Sequence, residues 1–108
     1  LLNKGNFKGK RIIDSSTVEL FTGRYENSPR ALGWDIKSPE GSSAGNYFNE
    51  LSFGHTGFTG TSAWVDPLNK IIVVFLTNRV HPTRENRKII KVRPQLHNAV
   101  INVFMENK

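Results

Sequence analysis

Residues 51–78, LSFGHTGFTGTSAWVDPLNKIIVVFLTN, limit the possible folds more than any other stretch. Within residues 70–77, Ile71, Ile72, Val73, Val74, Phe75 and Leu76 form an unbroken apolar run, β-branched or aromatic at most positions. Such a run suits a strand covered on both faces. It is far short of the roughly 20 apolar residues of a membrane-spanning helix. Just upstream, Thr61, Ala63 and Val65 alternate with Ser62, Trp64 and Asp66, the period of a strand. Asp66-Pro67-Leu68-Asn69 separates the two runs. Pro67 pre-sets a turn, and Asn69 is the residue expected to take a positive φ. Residues 61–77 therefore read as a β-hairpin.

The flanking sequence adds helices on either side. Residues 1–5 read as the last turn of a helix closed by Gly5, and the chain is expected to be a piece of a longer protein. Residues 6–9 read as a turn and 10–13 as a short extended piece. Asp14-Ser15-Ser16-Thr17 opens a helix that should stop at Gly23 and bury Val18 with Leu20 or Phe21. Residues 31–36 read as a strand with Leu32, Trp34 and Ile36 on one face; Gly33 marks a bulge or close approach. Residues 38–45, rich in glycine and serine, read as a surface loop. A terminal helix is expected from Pro94, burying Leu96, Val100, Val103 and Phe104. The expected fold class is α+β, an antiparallel β-sheet with packed helices.

Composition removes several function classes. There are 108 residues, enough for one small core, and no cysteine, so disulfides and thiolate metal sites are excluded. The net charge of +6 raises the question of nucleic acid. Apart from Phe7, its basic clusters, Lys4 to Arg11 and Arg79 to Arg93, lack the interleaved aromatics that stack on bases, so no nucleic-acid partner is expected. His55, His81 and His97 lack metal-ligand spacing, and no cofactor or metal is expected. Trp34 and Trp64 read as core or cleft wall.

The chemistry-bearing stretch is Gly54-His55-Thr56-Gly57-Phe58-Thr59-Gly60. Glycines let a ligand lie against backbone. The Thr56 hydroxyl and the His55 ring supply hydrogen bonds, and the Phe58 backbone N–H can serve as an oxyanion donor. The plainer reading is a glycine-rich hairpin with a solvated histidine. No Gly-Lys-Ser/Thr follows, so the stretch is not a phosphate loop.

SFGHTGFTGTSAWVDP followed by IIVVFLTNRVHPTREN resembles the C-terminal part of the serine β-lactamase-like hydrolases, which include class C β-lactamases, DD-peptidases and related esterases. His55-Thr56-Gly57 matches that family's third motif, usually Lys-Thr-Gly. The hairpin, Thr77-Asn78-Arg79 and the terminal helix follow in the family's order. The resemblance implies that Thr56 binds a substrate carboxylate or carbonyl and that His55 orients the proton network. It also implies that Gly57 keeps the cleft open, that the Phe58 N–H is half of the oxyanion hole, and that Asn78 lies near the substrate. Where lysine would be a fixed cation, an imidazole changes charge in the physiological range. The location implied is periplasmic or secreted.

One departure matters. These enzymes acylate the serine of Ser-x-x-Lys, and no serine here has lysine three positions on: Ser15 leads to Val18, Ser16 to Glu19, Ser38 to Gly41, Ser62 to Val65. Tyr25-Glu26-Asn27 has the letters of the second motif in the wrong place. The expectation is a C-terminal fragment of one β-lactamase-like domain, inactive alone, whose nucleophile lies in a missing N-terminal part. The substrate would be a small molecule or peptide. A homo-oligomer formed through an exposed sheet edge is a further expectation. Two other readings are a non-catalytic sensor or binding module on the same scaffold and, less favoured, a basic nucleic-acid module.

Overall fold

A computed structural model describes residues 1–108. In chain order the elements are β1 (Asn6–Phe7), β2 (Lys10–Arg11), α1 (Ser15–Thr22), β3 (Asp35–Ile36), β4 (Phe53–Thr56), β5 (Ser62–Asp66), β6 (Ile71–Phe75) and α2 (Ile89–Glu106). β1 and β2 make a small hairpin where the sequence suggested a turn and an extended piece. The other four strands form an antiparallel sheet in the order β3-β4-β5-β6. The α+β expectation holds.

The β5–β6 hairpin pairs Trp64 with Val73 and Asp66 with Ile71. Its turn is built on the fully buried Asp66 carboxylate. Asp66 Oδ1 accepts the Leu68 and Asn69 N–H groups, while Oδ2 accepts the Asn49 N–H and the Asn69 side chain. The residue with positive φ is Lys70, at 56°, not Asn69, whose side-chain amide is engaged by Asp66.

Each sheet face carries a small core. On one, Ala44, Phe48, Trp64, Ile71 and Ile101 cluster with Val73 and Phe104, so α2 covers this side. On the other, Ala31, Ile36, Phe53 and Val65 cluster with Leu2 and Trp34. That second cover stops short of β6. Ile72 and Val74 are 54% and 60% exposed, which corrects the two-faced burial expected for residues 70–77. β6 is an edge strand, and an apolar run does not by itself report how many layers pack on it.

Other expectations shift locally. Residues 1–5 form a turn with Lys4 and Gly5 at positive φ, not a helix end. α1 ends at Gly23 as expected, but only Val18 is buried; Leu20 and Phe21 lie on the surface. Of residues 31–36 only the last two are strand. Gly33, at φ 83°, turns the chain so that Ala31 N–H reaches the Trp34 carbonyl.

α2 starts at Ile89, five residues ahead of Pro94. Its buried ridge is Ile89, Arg93, His97 and Ile101, whereas Val103 is 59% exposed. The polar members of this ridge are buried because the loops opposite offer them backbone carbonyls. The loop expected on the surface at 38–45 is partly buried for the same reason. His97 Nδ1–H donates to the Ser43 carbonyl at 2.7 Å, Asn46 N–H donates to Asn98 Oδ1, and Ala44 is fully enclosed.

His97 gives the fold a pH dependence. Desolvation holds its pKa below the usual value; the Ser43 carbonyl opposes this and the Arg93 charge adds to it. The unfolded imidazole thus takes up a proton first, near pH 6.5. The stability that neutral His97 contributes is complete above that pH and falls as pH drops towards the folded-state value. The urea midpoint should be lower at pH 5.5 than at pH 7.5, and equal midpoints would show that His97 is not held neutral.

Candidate active site

The candidate site is built where β4 runs into the loop at residues 57–61. β3 pairs with β4 only at Phe53 and Gly54, so the outer edge of β4 is free of strand pairing from His55 onward. On its inner edge β4 stays paired to β5 through Thr56 opposite Ser62. The loop is then closed by Gly57 N–H donating to the Thr61 carbonyl at 2.7 Å.

Every carbonyl of this loop is held. Gly57 O accepts from Gly60 N–H and from Arg93 Nη2 at 2.9 Å. Phe58 O accepts from Arg79 Nε at 2.8 Å, and Thr59 O from the Arg79 backbone N–H at 2.8 Å. Gly60 O accepts from the Thr77 hydroxyl at 2.6 Å, and Thr61 O takes a second bond from Arg93 Nη2 at 2.7 Å. The Phe58 and Thr59 N–H groups donate to nothing within the chain. Gly57 C=O and Phe58 N–H belong to one planar trans peptide, so they point in opposite directions. With the oxygen turned to Arg93 on α2, the Phe58 N–H faces away from α2.

On the α2 side lies a cavity of about 360 Å³ lined by Thr56, Gly57 and Phe58 together with Arg79, Arg84, Arg87 and Arg93. Glu85 is the one acidic residue among its walls. Four guanidinium groups against one carboxylate make this a place for anions. Burial, and after it the charge of Arg79, lowers the Arg93 pKa from its usual value. The Arg79 guanidinium also lies 4.4 Å from the centre of the Phe58 ring, which remains exposed.

The five residues singled out from sequence are placed as follows. Thr56, Gly57 and Phe58 share the cavity wall. His55 is exposed, and its Nδ1–H donates to the Thr56 carbonyl at 2.8 Å, which leaves Nε2 without a partner in the chain. Asn78 is exposed outside the cavity, while its neighbours Thr77 and Arg79 tie down the loop. The residues that sequence reasoning missed are Arg79 and Arg93. The available signal for Arg93 was a charged residue spaced four and eight positions before His97 and Ile101 on one helix face.

Fold, loop and sequence together define a class: the chain belongs to the beta-lactamase family, which it matches over residues 2–96. It is 34% identical over 92 residues to a Salmonella gallinarum protein named "Putative D-alanyl-D-alanine carboxypeptidase", covering 82% of this chain and 21% of that protein. It is 38% identical over 85 residues to a Bacillus subtilis protein named "N-acetylmuramyl-L-alanine amidase", covering 75% of this chain and 19% of that one. The chain thus spans about a fifth of the length of these relatives. No solved structure gave a significant match. No helix is long and apolar enough to cross a membrane.

Proposed function

We propose that these residues are the C-terminal part of a β-lactamase-like domain and form one wall of a serine acyl-transfer site. The substrate would be an amide or ester; the relatives' names, a carboxypeptidase and an amidase, support the amide. The observation that carries this reading is the Phe58 N–H, left without an acceptor in the chain and directed away from α2 by the planar peptide it shares with Gly57 C=O. A donor fixed in advance where negative charge develops is what a tetrahedral acyl intermediate requires. Thr56 would bind the substrate's carbonyl or carboxylate, and His55, with Nε2 unengaged within the chain, would take part in the proton network. Gly57 would keep the rim low and Asn78 would border the substrate. The nucleophile and its base would come from polypeptide outside these 108 residues, since no Ser-x-x-Lys occurs within them.

The test compares the full-length protein with the 108-residue chain, using a fluorophosphonate probe and a chromogenic β-lactam. The expected result is a covalent adduct on a serine outside this segment, and none on the segment alone. Stoichiometric labelling of any serine among the 108 residues would refute the arrangement. Binding of a D-alanyl peptide by the full-length protein without any acyl adduct would favour the non-catalytic binding module.

A further inference from the structure

Arg93 is a cation buried on the core side of α2, 8% exposed, yet it has no acidic partner. The ion pairs in the chain are Lys4–Glu19 and Arg30–Asp35, both elsewhere. A buried unpaired charge is costly, and an apolar side chain of similar size would fill the same space without that cost. What Arg93 supplies that an apolar residue would lack is the pair of bonds from Nη2 to Gly57 O and Thr61 O. Those two carbonyls stand at the start and end of the loop. One of them belongs to the same rigid peptide as the Phe58 N–H, so fixing the oxygen fixes the direction of the hydrogen. Drawing electron density towards the oxygen also strengthens that N–H as a donor.

Resting on the acyl-transfer reading above, we propose that Arg93 is a positioning residue: its guanidinium clamps the Gly57 and Thr61 carbonyls and thereby aims the Phe58 N–H at the developing oxyanion. It touches no reacting atom. Its effect is on the rate of acyl transfer, not on substrate affinity. Arg79 acts beside it on the next peptide, through Phe58 O.

The experiment uses the full-length protein and Arg93→Ala. Acylation kcat should fall about ten-fold while KM stays within about three-fold, because only the donor's aim is lost. Added ethylguanidinium should restore part of the rate. Hydrogen exchange provides a readout that does not need activity. The Gly57 and Gly60 amides should exchange about ten-fold faster, whereas Trp64 and Val65 in β5 keep their wild-type rates. If loop and β5 amides accelerate together, Arg93 supports only global stability and the proposal is overturned; unchanged loop exchange overturns it as well. A change confined to KM would place Arg93 in substrate binding instead and also overturn it. If the wild-type protein turns over no ester, amide or β-lactam, the acyl-transfer reading fails, and the exchange data still decide whether the clamp exists.

Discussion

Trp64→Ala should destabilise the fold by about 3–5 kcal/mol, the range for truncating a buried aromatic. Trp64 is 2% exposed and lies at the centre of the core beneath α2, with Ala44, Phe48, Ile71 and Ile101 around it. Gly54 sits directly opposite on β4, and a Cβ there would collide with the indole, so the two residues share one space. The indole N–H donates to Ser43 Oγ at 3.0 Å, which links the sheet to the same loop that His97 and Asn98 hold from α2. Alanine at 64 would open a cavity and release that loop together. A domain with about 5–15 kcal/mol in total has little left after such a loss. Trp64→Phe keeps a ring and forfeits the hydrogen bond, so about 1–2 kcal/mol should go. Urea unfolding of the wild type and both variants checks the order; an alanine variant within 1 kcal/mol of wild type would mean that the indole is not a core residue.

The hairpin around Trp64 was legible because strand alternation and a Pro-Leu-Asn turn are local signals. The burial of β6 was not, since Ile71 to Leu76 would look the same under one covering layer or two. α2 shows a different limit. Leu96, Val100 and Val103 are spaced for a helix face, yet the ridge that meets the sheet is Arg93, His97 and Ile101. Counting apolar residues passes over a buried arginine and histidine whose partners, Gly57, Thr61 and Ser43, lie 32 to 54 positions away in sequence. Pro94 misled in the same direction. It fits a first turn, but here only one turn precedes it, and the bond it cannot make would have gone to the carbonyl of Ile90, an exposed residue that water can reach. The stretch at 54–60, the end of β4 and most of the loop after it, stood out by its glycines and threonines. The arginines that hold its carbonyls belong to contacts between distant segments, which no short pattern records.

If the full-length protein acts by the acyl transfer proposed above, Gly60→Ala should reduce its rate by about 10²-fold, close to the effect of removing an oxyanion donor. Gly60 has φ +116°, a conformation that L side chains rarely adopt. A Cβ there would stand 2.5 Å from Thr77 Oγ1, 3.0 Å from the Arg79 backbone nitrogen and 3.1 Å from the Thr77 carbonyl. Two of these atoms are the donors that hold Gly60 O and Thr59 O. Alanine would therefore push the loop off its supports two residues from Phe58. A displacement of about 1 Å at a catalytic donor is enough for a loss of this size. The backbone strain alone costs on the order of 1–3 kcal/mol, so thermal unfolding must be followed alongside the rate. Gly41→Ala is the control: φ is also positive, at 67°, but nothing lies within 4 Å of the added carbon and the position belongs to a different connection, between β3 and β4. That variant should show about 1 kcal/mol of strain and an unchanged rate. If Gly60→Ala remains folded and keeps its rate, the Phe58 N–H does not serve as an oxyanion donor.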